Sequence, residues 1–388
     1  INDDSQQIKY QITTASKRHM ARVAYMHPIE DPSIQNIVTQ FIKYEVGSEE
    51  AVAALLAGTL LGDTKLPDSA RELLDDLDIG NLSAESNIGE EELEELNASL
   101  KRKNGFSLVV GPDLYAHPRA ENIAKLLALI ERYTDFSLLI VPPSTNTLGV
   151  SLICDLDDSI EGQTLGYNAK ADFVLSCCGK GDLDMPALNQ QEGTFTTLDK
   201  KAVPTNAAVS YDGFVLNDIA NELGMRAEHT IDYTVHLPQE KGYKSEEFDS
   251  LPDYFDKLGM ECRGYLLNTV DVQSSLEIEE IAEMDEYDGV VVYNCDSNKV
   301  VANHVRAIDK KEKHPVLAGS KQFALAAKLK DGQLIEFVID GVTLRRVFKI
   351  DEAMKGTIAI NPLFDARKNA ALLSSYRFSK LMFQIVKD

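Results

Sequence analysis

The residues with the best claim to chemistry lie between Asn189 and Asn206, in the run Asn-Gln-Gln-Glu-Gly-Thr-Phe-Thr-Thr-Leu-Asp-Lys-Lys-Ala-Val-Pro-Thr-Asn. Asn189, Glu192, Thr194 and Thr196, with Asp184 upstream, form a set of acceptors and hydroxyls that could hold a ligand by hydrogen bonds. Gly193 can take the positive φ that a sharp turn requires. Lys180, Lys200 and Lys201 could meet an anion, though against a strongly acidic background. No nucleophile stands beside a base, and no metal-ligand cluster accompanies the set. The competing reading is a turn that fastens one lobe to another.

The elements that would position these residues follow from residue type. Asp172-Phe-Val-Leu-Ser176 reads as a short buried strand, and Gly179–Asp184 as a polar loop. Thr194–Thr197 is β-branched and aromatic and is predicted to be extended. Leu198–Lys201 is a turn, and Ala202-Val203 a returning strand stopped by Pro204. The hairpin therefore falls just past the end of a sheet strand, where open α/β sheets build ligand crevices.

Two further places invite a functional reading. Gly47-Ser-Glu-Glu50 opens a helix through a Ser48 cap, with Glu49 and Glu50 in the first turn. It reads either as a nucleotide contact at a helix N-terminus or as a plain cap. His117, in a His-Pro pair before a helix, suggests acid–base chemistry or local packing, and packing is the reading taken. The Gly111 turn lacks the further glycines of a dinucleotide fingerprint. Cys154, Cys177, Cys178, Cys262 and Cys295 include no C-x-x-C pair and have no histidine at zinc-ligand spacing. Neither zinc nor an iron–sulfur cluster is expected among them.

Net charge is −23, from 39 basic and 62 acidic residues, a field that repels nucleic acid and anionic lipid. Much of the excess lies in Asp63–Leu96, where twelve acidic residues face only Lys65 and Arg71. That segment reads as an acidic helical insertion, a solvated face or a docking surface. The longest apolar helical run, Ala51–Leu61, falls far short of the roughly 20 residues that cross a bilayer. No basic-then-apolar leader is present, so export is not expected. The start at Ile1 is read as that of an excised piece.

Along the chain, 1–18 is expected to be extended and Ala21–Met26 a strand. Helices are predicted over Ile34–Tyr44 and from Glu49. Phe106–Val110, Ala120–Tyr133 and Phe136–Val141 form a strand–helix–strand unit with a parallel pair. A helix over Val215–Leu223 ends at Gly224, and Thr230–Gly264 is a turn-rich excursion. Beyond it come strands at Gly289–Tyr293, Pro315–Ala318, Gln333–Ile339, Val342–Ile350 and Thr357–Ile360, with helices at Val300–Ile308 and Lys321–Lys328. Short strands joined by tight turns such as Asp340-Gly341 suggest a small barrel. Arg367–Asp388 reads as a basic, aromatic helical tail. The expected domains are a partial α/β lobe (1–62), the acidic insertion (63–104), a Rossmann-like α/β domain (105–260) and a barrel-like domain (261–388).

Several of these blocks carry a resemblance. Glu192-Gly-Thr-Phe-Thr-Thr197 looks like a segment of the molybdopterin oxidoreductases. Asp182-Leu-Asp-Met-Pro-Ala-Leu-Asn-Gln-Gln-Glu-Gly-Thr-Phe-Thr196 resembles the family of large peripheral-arm subunits of respiratory NADH:quinone oxidoreductase, complex I. Gly111–Ala124 and Asn146–Cys154 are similar to the same family, and Gly47–Leu56 to a helix start of the wider superfamily. The resemblance implies a molybdopterin-oxidoreductase scaffold, α/β with Rossmann-like parallel-sheet lobes followed by a small double-psi-like β-barrel. Lys330-Asp-Gly-Gln333 departs from the barrel's usual turn at its last position.

By this resemblance the chain is a non-catalytic part of the peripheral arm, supporting electron transfer from NADH to quinone. Its partners would be other peripheral-arm subunits, and its place the bacterial cytoplasm, peripheral to the inner membrane. No cofactor is expected in this portion, since the iron–sulfur clusters lie upstream in such subunits. Asn189, Glu192, Gly193 and Thr194 would be a vestigial pterin-facing loop. The alternative is a redox enzyme portion that binds a molybdopterin dinucleotide.

Overall fold

Apolar residues all round a helix require neighbours all round it, and Glu49–Leu61 shows how the chain meets that demand. The computed structural model describes residues 6–62, 64–101, 105–142, 146–153, 162–168, 171–177, 179, 181–187, 189–191, 193–197, 201–205, 207–224, 265–266, 277–283, 287, 289–295, 315–363 and 375–386. They divide into one unit of Ile1–Ile140 with Ser275–Asp388 and a second of Val141–Ser274.

In the first unit, α1 (Gln6–His19) precedes the parallel strands β1 (Ala24–Met26) and β2 (Gln40–Ile42). Helix α2 (Glu49–Leu61) follows, then α3 (Asp68–Asp75), α4 (Ile79–Ser86) and α5 (Glu90–Leu100). Strand β3 (Phe106–Val110), a 3-10 turn (Pro112–Ala116), α6 (Ala120–Tyr133) and β4 (Phe136–Ile140) form the expected unit, with β3 and β4 parallel. Helix α2 buries Ala51–Ala57 and Leu61 against Ile123, Leu126 and Ile130 of α6 and against Leu82, Leu93 and Leu96 of the acidic segment. The acidic helices thus have apolar inner faces, and their carboxylates lie on the outer ones.

Two expectations fail here. The polar lead-in is the helix α1, whose Lys17, Arg18 and His19 complement the helix dipole in the last turn. Residues 34–44 are not helical; the segment turns and enters β2, as its β-branched run favours once β1 offers a partner.

The second unit holds α7 (Thr147–Ile153) and a parallel three-stranded sheet of β5 (Leu165–Tyr167), β6 (Phe173–Ser176) and β7 (Leu183–Asp184). A second sheet pairs β8 (Gly193–Thr196), β9 (Lys201–Thr205) and β10 (Tyr265–Leu266), and α8 (Leu216–Glu222) follows β9 in the chain. Pro204 does not stop β9: it sits opposite Thr194 within it. The expected excursion over 230–264 lies outside the described residues.

The first unit resumes with β11 (Val291–Cys295), β12 (Val316–Gly319), α9 (Lys321–Ala326), β13 (Leu334–Ile339), β14 (Val342–Ile350), β15 (Ile358–Pro362), β16 (Phe378–Lys380) and β17 (Gln384–Ile385). Asp340 and Gly341 both take positive φ, +46° and +77°, as a type I′ hairpin needs. The strands form one mixed sheet in the order β16-β11-β15-β12-β14-β13-β17. Its two edge strands are separated in the chain only by residues 381–383. A flat seven-stranded sheet would hold its edges about 29 Å apart, whereas the chain from Lys380 to Gln384 reaches at most about 14 Å. The sheet is therefore strongly curled. Leu317, Phe323, Ile335, Phe337 and Phe348 fill its core.

The tail expected to be helical supplies β16 and β17, since Tyr376, Phe378 and Phe383 suit an aromatic-lined edge better than a solvated helix. The helix expected over 300–308 lies outside the described residues.

Candidate functional site

Of the four residues singled out from the sequence, three are described, and their backbone ties the loop to its neighbours. The Asn189 carbonyl accepts from the N–H groups of Ala208 and Val209, at 2.9 and 3.0 Å. Gly193 and Thr194 are strand residues, opposite Thr205 and Pro204. Glu192 lies outside the described residues. Asp184 accepts from the Gly179 N–H through Oδ1 at 2.8 Å, and its carbonyl accepts from the Tyr211 hydroxyl. Thr196 Oγ1 accepts from the Gly149 N–H at 3.3 Å, while the Thr196 N–H donates to Asn146 Oδ1 at 2.7 Å. A Cβ on Gly149 would stand 2.6 Å from Thr196 Cγ2, so the close approach of α7 to β8 requires glycine there.

A denser arrangement lies in the first unit, where the start of α2 meets the turn before α6, residues 279–283, Tyr287 and residues 376–378. Gly47, with φ +90°, turns the chain into α2. Ser48 does not cap the helix as expected; its hydroxyl donates back to the Glu45 carbonyl at 2.6 Å. Glu49 and Glu50 are both buried. Glu50 Oε1 accepts from Arg119 Nε at 2.9 Å and Asn122 Nδ2 at 2.6 Å, and Oε2 from the Ala282 N–H at 3.1 Å. Asn122 also pairs with the backbone of Glu279 in both directions. Glu50 is thus a fully used anchor.

Glu49 faces another way. Its Oε1 accepts from the Tyr376 hydroxyl at 2.6 Å, and that hydroxyl accepts from the Gly47 N–H at 3.0 Å. Burial, and after it the charge of Glu49, push the Tyr376 phenol far above the ordinary tyrosine range, so it remains a donor. His117 Nδ1 accepts from the Arg119 N–H at 3.0 Å. The neutral ring then carries its proton on Nε2, which stands 3.3 Å from Glu49 Oε2 without the alignment of a hydrogen bond. A similar turn recurs at His27-Pro28, where Nδ1 lies 3.0 Å from the Ile29 nitrogen and 3.1 Å from its carbonyl oxygen, and Nε2 lies 3.5 Å from Asp113 Oδ2. Asp113 also accepts from the Tyr293 hydroxyl at 2.7 Å. Burial raises the Asp113 pKa, but His27, Tyr293 and Arg377 together outweigh it and hold the carboxyl below its usual range.

Between these groups lies a crevice of about 60 Å³, lined by Gly47, Ser48, His117, Arg119, Tyr287 and Tyr376 among others. It has room for a few water molecules. A ligand of pterin-dinucleotide size needs a cleft of roughly 300–1,000 Å³, so the crevice does not fit one. Among the described residues no three His, Cys, Asp or Glu side chains gather as a metal site. Nor is any helix among them long and apolar enough to cross a membrane.

No family model matches the chain, and no curated protein matches it. Among solved structures, acetylene hydratase from Pelobacter acetylenicus is similar over 98% of this chain and 76% of its own, with a TM-score of 0.61 and 9% sequence identity. That protein has the molybdopterin-oxidoreductase fold. This chain shares that fold. At 9% identity the likeness extends to architecture and not to chemistry.

Local sequence pointed to Gly47–Glu50 and to His117 separately, the first against a plain helix cap and the second against local packing. Nothing in it joined them with Tyr376, Arg119, Asn122 or Tyr287. One signal was available: the twin His-Pro pairs at 27–28 and 117–118, each followed by the residue whose amide locks the ring.

Proposed function

We propose that the chain is a non-catalytic framework portion of the large subunit in the peripheral arm of NADH:quinone oxidoreductase, complex I. It supports electron transfer from NADH to quinone by holding neighbouring subunits, on the cytoplasmic side of the bacterial inner membrane, and carries no cofactor of its own. The resemblance of Asp182–Thr196 supplies the family, and the shared fold agrees with it. In this reading the curled seven-stranded sheet is a double-psi-like barrel.

The observation that carries the proposal is how the start of α2 is filled. The Tyr376 hydroxyl takes both the Gly47 N–H and Glu49, and Arg119 and Asn122 take Glu50. Groups that could have received a ligand are used to join parts of the chain. The second reading, a redox enzyme portion that binds a molybdopterin dinucleotide, draws on the fold and on the resemblance of Glu192–Thr197 to the molybdopterin oxidoreductases.

Metal analysis and extracted-pterin fluorescence on the purified protein separate the two. The framework reading expects molybdenum, tungsten and pterin far below one per chain, and chemical crosslinks to peripheral-arm subunits in native membranes. Stoichiometric metal and pterin would overturn it.

A further inference from the structure

The stretch 375–386 supplies both edges of the curled sheet, and its first residues meet the rest of the unit much as a bound peptide would. Tyr376 sets its hydroxyl between Glu49 and the Gly47 N–H. Arg377 places Nε 3.7 Å from Asp113 Oδ1, and its carbonyl accepts from the Asn294 N–H at 2.7 Å. The Phe378 ring packs on Tyr293 with centroids 4.9 Å apart. Ser379 Oγ accepts from Asn294 Nδ2 at 3.2 Å. Antiparallel pairing to β11 covers Phe378–Lys380. Backbone pairing along a sheet edge, with a separate seat for each successive side chain, is how sheet edges bind extended peptides.

We propose that the β11 edge, with the Glu49 and Asp113 seats, is a peptide-binding site for an aromatic–Arg–aromatic strand, filled here by the chain's own Tyr376-Arg377-Phe378. Each seat has the same construction, a carboxylate backed by an amide-locked histidine. Glu49 with His117 receives the phenol, and Asp113 with His27 receives the guanidinium. The first part of the occupant is separable because it contributes little to the main core: Phe378 belongs to a small cluster with Val46 and Val291, whereas Leu381 and Phe383 pack on the cluster that fills the sheet, Phe383 edge-on to Phe323 and Phe337. Its charged contact is also incomplete: Arg377 Nη1 is buried with no hydrogen bond among the described residues, so part of its desolvation is not recovered. A strand held this way opens before the core does.

Hydrogen exchange on the 388-residue chain tests this directly. The amides of Gly47, Asn294 and Phe378–Lys380 are expected to exchange together, through an opening that leaves β12 and β14 protected. Tyr376→Phe removes a hydrogen bond to a charged group and should speed that opening by about ten- to a hundredfold. Exchange of these amides only together with β12 and β14 would overturn the proposal. A variant ending at residue 374 adds a second arm. A synthetic peptide of residues 375–386 should bind it and restore protection at Gly47. The same peptide carrying Tyr376→Phe and Arg377→Ala should bind at least tenfold more weakly. A folded variant that ignores the peptide would refute the site, and for a variant that does not fold the exchange result on the intact chain is decisive.

Discussion

Replacing Glu50 by glutamine tests a buried polar knot at the start of α2. Three donors converge on this carboxylate: Arg119 Nε and Asn122 Nδ2 on one oxygen, and the Ala282 N–H on the other. Glutamine keeps the shape but turns one acceptor into a donor. Whichever way its amide is placed, an N–H faces an N–H, and one buried donor is orphaned at about 1–3 kcal/mol. Loss of the charge weakens the remaining bonds by about 1 kcal/mol more. Arg119 is 28% exposed and keeps Glu279, which moderates the loss. The expected cost is about 2–3 kcal/mol, a sizeable share of the roughly 5–15 kcal/mol that holds a protein together.

The chain has no tryptophan, so far-UV circular dichroism in urea is the natural assay, with hydrogen exchange at Ala282 as the local readout. Glu94→Gln, on the exposed face of α5, serves as the control and should stay within about 0.5 kcal/mol. If Glu50→Gln matched that control and left Ala282 exchange unchanged, the carboxylate would not be the anchor described.

Three further outcomes are expected. Asp113→Asn should destabilise at neutral pH. A carboxyl held below its unfolded value, about 3.9, contributes stability above that pH, so the gap to the wild type should close as pH falls through the depressed value in an acid titration followed by circular dichroism. Tyr25, Tyr44 and Tyr376 all have raised pKa values, first from burial and then from neighbouring carboxylates, so their contribution is complete below about pH 10 and is lost as pH rises further. Tyrosinate absorbance should show these three ionising only with alkaline unfolding; reversible ionisation in the folded state would contradict this. Gly149→Ala should cost about 1–3 kcal/mol by driving a methyl into Thr196, and Thr196→Ser, which removes the clashing Cγ2, should recover most of it in a double-mutant cycle.

Elements with strong periodicity or strong turn chemistry could be read without a structure. The α6 face of Ile123, Leu126, Leu127 and Ile130, the β3–β4 parallel pair and the Asp340-Gly341 hairpin all follow from local residue choice. Segments whose state depends on a distant partner were misread. Ile34–Tyr44 has helical spacing, yet β1 recruits its second half as a strand. The tail has a helix-like distribution of basic and aromatic residues, yet β11 and β13 recruit it to opposite edges of one sheet. The candidate site was only half legible for the same reason. Glu49 and His117 are 68 positions apart in the chain and Tyr376 far beyond both, so no local pattern unites them.

The twin His-Pro turns bear on what kind of site this is. A general base must offer a free lone pair to the group it deprotonates. In the His117 turn Nδ1 is already taken by the Arg119 N–H, and the proton on Nε2 faces Glu49. Neither nitrogen can accept a proton unless a contact that shapes the turn is given up. An imidazole placed this way works as a rigid polar spacer: it sets the distance between the turn before α6 and the start of α2, and it backs the carboxylate that Tyr376 needs as an acceptor. The His27 turn does the same for Asp113 and Arg377. The two turns, at two chain-distant points, face consecutive residues of the segment that leads into β16, which suits them to holding that segment. Proton abstraction would need a histidine with an open lone pair, and the His117 turn leaves none.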